Sequence, residues 1–205
     1  METQSLLHKS LNGFLDQLAS DAPTPGGGSV AALTGALAAA LGQMACALTR
    51  GKPKFAAVEP QVRSVAERLH RAGQSLRKLM DEDAEAYQLL SAALRQAKAD
   101  PQRTKRVQQA AWLAGQVPLE TAGFCASVLA TLKELRPIGN PLLRSDMEAA
   151  LHLATAAILA ASANVRANLP LMSAESAAFV EKQLAALLPP GAERPDAASG
   201  GTFSR

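Results

Sequence analysis

One carboxylate stands where the helical pattern asks for an apolar side chain. Val62, Val65, Leu69, Leu76, Leu79, Met80, Tyr87, Leu90 and Leu94 recur at helical spacing along one segment. At about 100° per residue, Asp83 falls in the middle of their stripe. Its neighbours Asp81, Glu82 and Glu85 project elsewhere and read as a solvated face. A core-facing carboxylate is costly unless it is paired or lines a wet cavity. Desolvation raises its pKa, which suits a general acid or base. The pattern fits equally well a buried Asp satisfied by a cap or an arginine.

Further polar residues share a second helix face. Asp146, Asn164 and Asn168 lie close in angle, with Ala150 and Ala157 between them. Small residues leave room for a ligand, and Asn offers both donors and acceptors. Close helix packing, with Asp146 complementing the helix dipole, is the plainer alternative. Gly26, Gly27, Gly28 and Ser29 form a glycine turn entering a helix, where backbone amides can hold an anion. The spacing matches neither the dinucleotide fingerprint nor the P-loop, and no strand precedes it. Lys52 and Lys54 follow the C-terminus of that helix, placed to complement its dipole or to hold a carboxylate or phosphate. His8, His70 and His152 show no metal-ligand pairing, and no metal site is expected. No Ser or Cys carries a nucleophile motif.

The elements that position these groups read as helices. The 205 residues suit one domain, 48% are apolar and only 3% aromatic. Alanine dominates the sequence, which favours helix over strand, and period-two runs of β-branched residues are absent. The +3 net charge is spread along the chain, with no basic run and few aromatics, so no nucleic-acid partner is expected. Cys46 and Cys125 read as buried, reduced thiols. The first residues lack a signal peptide's apolar core, and the cytoplasm is the expected location. Val30 to Leu48 is an uncharged run long enough to raise a membrane question. Its larger residues, Val30, Leu33, Leu37, Leu41, Met44 and Leu48, form a single narrow seam amid small ones. That pattern predicts a helix buried among protein neighbours, not one facing lipid.

In chain order the pattern predicts seven helices. The first spans Thr3 to Ala19, with Leu7, Leu11, Phe14, Leu15 and Leu18 inward. The second is capped by Ser29 and reaches Thr49. A long third runs from Glu59 to about Ala99. A fourth follows Asp100-Pro101 and stops before Pro118, and a fifth runs from Pro118 to Leu135. Ser145 and Glu148 make a capping box for the sixth, which ends near Leu169. The seventh spans Ser173 to Leu188. The expected architecture is an all-α antiparallel bundle, a single domain over 1–188, with 189–205 as a disordered tail. Its alanine-rich faces suit a helical dimer interface.

Taken together, these segments resemble the cyclodeaminase and cyclohydrolase family of folate enzymes. The residues that carry the resemblance are FLDQLASDAPTPGGGSVAALTGALAAALGQMACALTRGKPKF at 14–55, DEDAEAY at 81–87, VPLETA at 117–122, GN…SD at 139–146 and NVRANL at 164–169. PTPGGGSVAAL is highly specific; the others are individually loose but occur in the family's order.

The resemblance implies an all-helical homodimer that binds folate in a groove near the glycine turn and between subunits. It implies no cofactor beyond the tetrahydrofolate substrate. By resemblance, Asp83 is the acid/base, and Asp146, Asn140 and Asn164 orient the pterin and its one-carbon bridge. Lys52 and Lys54 would hold the glutamate tail. Family members either close 5-formiminotetrahydrofolate to 5,10-methenyltetrahydrofolate with loss of ammonia, or hydrolyse the methenyl compound to 10-formyltetrahydrofolate. Three positions depart from the family's usual pattern: Leu142 stands where an Asn is usual, Glu148 where a Gly is common, and Pro53 breaks a lysine run. A catalytically silent folate-binding or interaction protein of the same fold is the alternative that Leu142 and Glu148 favour.

Overall fold

The structure, a computed structural model, describes residues 5–191. Those residues form six α-helices joined by short 3-10 turns, and no strand occurs among them. The helices are α1 (Leu11–Leu18), α2 (Gly27–Ala47), α3 (Glu59–Leu94), α4 (Arg103–Leu135), α5 (Arg144–Asn168) and α6 (Ala174–Leu187). Neighbours pack in the order α2 on α3, α3 on α4, α4 on α5 and α5 back on α2, so the four long helices close a bundle. Helix α6 lies over α4 and α5. Most of the expected tail, from 192 onward, lies outside the described residues.

Six helices replace the seven because the fourth and fifth are one. Pro118 sits inside α4 without ending it. A proline there removes the hydrogen bond to the carbonyl four residues earlier and normally breaks the helix. Here the Asn168 side chain donates to that carbonyl, Ala114 O, at 3.0 Å, and the helix continues. The first helix is also shorter than expected. Lys9 is extended and Ser10 restarts the chain as the cap of α1, accepting from Gly13 N. Phe14 is buried as expected, but Leu7, Leu11 and Leu15 are exposed, and Leu6 is buried in their place.

Two caps fall elsewhere than the motifs placed them. Helix α2 is capped by Gly26, and Ser29 lies inside its first turn. Helix α5 starts at Arg144 after Leu143, so the Ser145–Glu148 capping box does not form. Helix α3 ends at Leu94, short of Ala99. Asp100 closes the next turn, accepting from Gln102 N at 2.8 Å.

The largest difference is the orientation of α2. Its buried face is made of small residues, among them Ala31, Ala32, Gly35, Ala38, Ala39, Gly42 and Ala45. Of the seam expected to point inward, Leu37, Met44 and Leu48 are exposed, and Val30, Leu33 and Leu41 are half-buried. Close packing explains the inversion. A Cβ at Gly35 would lie 2.4 Å from Cys125 Sγ, and one at Gly42 2.5 Å from a Leu132 methyl. Only the small face lets α3 and α4 approach α2 so tightly. Helix α2 and the segment Pro141–Leu171 are each long and apolar enough to cross a membrane by length and composition, and both are packed into the bundle. Cys46 and Cys125 are free and buried, and burial pushes their thiols up to about 11 and about 12.

Candidate functional site

The glycine turn reaches its place by several ties. The Thr24–Pro25 bond is cis, and Gln17 of α1 donates to Thr24 O at 2.7 Å, holding the turn against the bundle. Asp81, read from sequence as part of a solvated face, instead accepts from Ser5 Oγ and from Leu6 N, the latter at 2.7 Å. It thereby fastens the N-terminal segment to α3 beside the turn.

Helix α2 then starts directly against Asp83. The Ser29 backbone N–H donates to Asp83 Oδ2 at 2.8 Å, and Ser29 Oγ lies 2.9 Å from the same oxygen. Ser29 Oγ also lies 2.9 Å from Met80 O. Its single hydroxyl proton goes to the carboxylate when Asp83 is ionised and can turn to Met80 O when Asp83 is neutral. With Oδ2 occupied by Ser29, Oδ1 is the oxygen left to exchange a proton. Burial of the carboxyl raises the Asp83 pKa, opposed by the two Ser29 hydrogen bonds. A Cβ added at Gly28 would lie 1.9 Å from Oδ1, so only glycine fits beside this acid.

A cavity of about 180 Å³ opens at this point. Pro23, Thr24, Gly26, Gly27 and Gly28 line it from the turn, Asp83, Tyr87 and Leu90 from α3, Ala114 from α4, and Asn164 and Asn168 from α5. Asn164 packs over Gly27, where a Cβ would lie 3.0 Å from its amide nitrogen. Asp83, Asn164 and the three glycines thus meet as one group. Ser29 belongs with them differently from expectation: it is fully buried and offers a ligand no surface, and its polar atoms go to Asp83 and Met80.

The remaining expected residues lie at the other end of the bundle. Lys52 and Lys54 are exposed beyond the C-terminus of α2, roughly 30 Å along that helix from the glycine turn. Lys54 Nζ sits 4.7 Å over the Phe55 ring. Asn140 N donates to Thr49 Oγ1 at 3.0 Å, and its side chain accepts from Leu142 N, tying the end of α2 to the start of α5. Asp146 is in the first turn of α5, about five turns or roughly 27 Å from Asn164 along that helix. A second cavity of about 370 Å³ lies there, lined by Asn140, Arg136, Arg144 and Met147. Glu148 pairs with Arg136 at 2.6 Å beside it. Asn168, grouped with Asn164 from sequence but given no role, and Tyr87, read only as part of the apolar stripe, also line the Asp83 cavity. Their signal was present: Tyr87 follows Asp83 by one helical turn, and Asn168 follows Asn164 by one. Among the described residues, no group of three His, Cys, Asp or Glu side chains is placed to hold a metal ion.

Fold and cavity together define a helical-bundle protein whose small pocket is organised around one desolvated acid. Residues 10–186 match the family model described as formiminotransferase-cyclodeaminase. A methenyltetrahydrofolate cyclohydrolase of Methylorubrum extorquens is 34% identical over 181 residues, covering 86% of each chain. The formimidoyltransferase-cyclodeaminase of Sus scrofa is 35% identical over 170 residues, covering 81% of this chain but only 31% of that protein. The crystal structure of a formiminotetrahydrofolate cyclodeaminase from Thermotoga maritima superposes with a TM-score of 0.76 at 29% identity, over 88% of this chain and 92% of that one. The chain belongs to the formiminotransferase-cyclodeaminase family.

Proposed function

We propose that this chain is an enzyme of folate one-carbon metabolism acting at the bridge between N5 and N10. It either closes 5-formiminotetrahydrofolate to 5,10-methenyltetrahydrofolate or hydrolyses the methenyl compound to 10-formyltetrahydrofolate. The observation that carries the reading is Asp83, a desolvated carboxyl that lines a small cavity with one oxygen held by Ser29. Both reactions pass through a tetrahedral carbon between the two nitrogens. Deamination needs a proton taken from N10 and one given to the departing nitrogen. Hydrolysis needs a proton taken from water and one given to N5 as the ring opens. Asp83 Oδ1 moves these protons, a role typically worth about 10²–10⁴-fold in rate. The ionised carboxylate also favours the cationic bridge carbon.

Absorbance of the methenyl chromophore with purified protein tests this directly. Enzyme-dependent loss of the signal identifies a cyclohydrolase. Its appearance from 5-formiminotetrahydrofolate, with ammonia released, identifies a cyclodeaminase. A folded protein that does neither but binds folate at equilibrium supports the silent-binder alternative, and one that binds no folate overturns the reading.

The site is completed by a homodimer in this proposal. The Asp83 cavity is smaller than the roughly 300–1,000 Å³ usual for small-molecule sites. The outward seam of Leu33, Leu37, Leu41, Met44 and Leu48 on α2 is an apolar strip that a second copy can cover isologously. If the two α2 helices run antiparallel, each glycine turn faces Asn140, Lys52 and Lys54 of the partner subunit. That arrangement reunites the two halves of the expected residue set, with the lysines on the anionic tail of the substrate. Leu37→Glu is expected to halve the solution mass and abolish turnover; a parent protein already monomeric by light scattering, yet active, removes the dimer from the mechanism. A cytoplasmic location accords with soluble folate substrates.

Ser29→Ala removes the hydroxyl that lowers the Asp83 pKa. The limb of the pH–rate profile that reports ionisation of Asp83 is expected to move to higher pH, with lower turnover below it. An unmoved profile would mean that another group titrates in the reaction.

A further inference from the structure

Asn168 is held in one orientation by a defect in the neighbouring helix. Pro118 has no N–H to give Ala114 O, and the Asn168 amide nitrogen supplies the missing donor at 3.0 Å. The same nitrogen donates to Asn164 O, also at 3.0 Å. Both hydrogens of the amide are therefore committed, and because both partners are carbonyl oxygens the amide cannot be turned the other way. What Asn168 still offers is Oδ1, an acceptor. Asn164 is oriented by the same logic, since its amide nitrogen donates to Ala160 O at 2.8 Å. Ala114, Asn164 and Asn168 all line the Asp83 cavity.

We infer that Asn168 is a substrate-orienting residue, whose Oδ1 accepts a hydrogen bond from a ring N–H or amino group of the reduced pterin. The inference rests on the folate reading above. A pterin carries nitrogen donors on its amino group and on its ring, and an acceptor with no freedom to become a donor selects that edge. Pro118 thereby acts on the site at one remove: by withdrawing a backbone donor in α4, it fixes the chemistry that α5 presents to the ligand. A purely structural role is the rival explanation, in which Asn168 only caps Ala114 O and touches no substrate.

The two are separated by restoring the backbone bond. Pro118→Ala gives Ala114 O its helical partner again and makes the cap dispensable. Four proteins are compared: wild type, Pro118→Ala, Asn168→Ala and the double variant. The readouts are Tm, equilibrium binding of 5-formyltetrahydrofolate, and KM and kcat for the methenyl compound. In the Pro118→Ala background, Asn168→Ala is expected to leave Tm within a few degrees yet weaken binding and raise KM about tenfold or more, with a smaller change in kcat. If Asn168→Ala alone does not fold, the comparison of Pro118→Ala with the double variant still decides. Equal KM and binding in those two proteins would reduce Asn168 to a cap and overturn the inference while leaving the folate reading intact. Failure of wild type to bind or turn over any folate is the different outcome that removes the reading itself.

Discussion

Asp83→Asn is expected to lower turnover by about a hundredfold or more while the protein stays folded and binds folate, because the amide keeps the shape of the carboxyl and loses only its proton chemistry. Steady-state rates from methenyl absorbance, with binding measured in parallel, check it; a rate within a few-fold of wild type would place the acid/base elsewhere. The same substitution carries a stability signature of opposite sign. Burial raises the Asp83 pKa in the folded chain. Between the unfolded and folded pKa values the folded chain binds more protons, so this group's contribution to stability falls as pH rises through that window. Above it the full penalty for burying the charge applies, and below the ordinary carboxylate range there is none. Asp83→Asn is therefore expected to raise Tm at neutral pH, with the gain fading as the solution is acidified. A variant less stable than wild type at neutral pH would contradict the burial argument.

Gly28→Ala is expected to cost as much activity as losing the acid. Replacing glycine by alanine inside a helix ordinarily stabilises it by roughly 0.5–1 kcal/mol. At Gly28 the new methyl would stand 1.9 Å from Asp83 Oδ1, a separation that cannot exist. Since the far end of the Asp83 side chain is what it meets, the bundle survives and the carboxylate swings away, losing its hold on Ser29 N and Oγ. Turnover should fall about a hundredfold or more, with helicity and cooperative thermal unfolding retained. Gly123→Ala is the control, because a methyl there meets open space on α4. The glycines of the turn are not equivalent in this respect, as a Cβ at Gly26 also meets nothing within 4 Å. Retention of more than half the activity in Gly28→Ala would show that the close approach of α2 to Asp83 is unimportant.

The family relation accounts for what could be read early. PTPGGGSVAAL at 23–33 identifies the glycine turn and the start of α2 without any coordinates. The acid in the α3 stripe was legible for a physical reason: helical period places Asp83 among Val65, Leu76 and Leu90, which the bundle buries. The same period misled on α5. It puts Asp146 and Asn164 at one angle but is blind to the five turns that separate them along the axis. One grouping by angle therefore became two places in the bundle.

Alanine abundance and helical periodicity determined the all-α fold class, and the sequence motifs determined the family and set the Asp83 carboxylate on a core-facing stripe. The tertiary structure alone decided which face of α2 turns inward. Hydrophobicity favours burying Leu37 and Met44, yet close contact with α3 and α4 requires Gly35, Ala38 and Gly42 there, and packing density outweighs the preference of single side chains. It likewise decided that Pro118 interrupts nothing, because the donor it lacks comes from Asn168, fifty residues along the chain and on another helix. Spacing within one segment carries no information about such a partner.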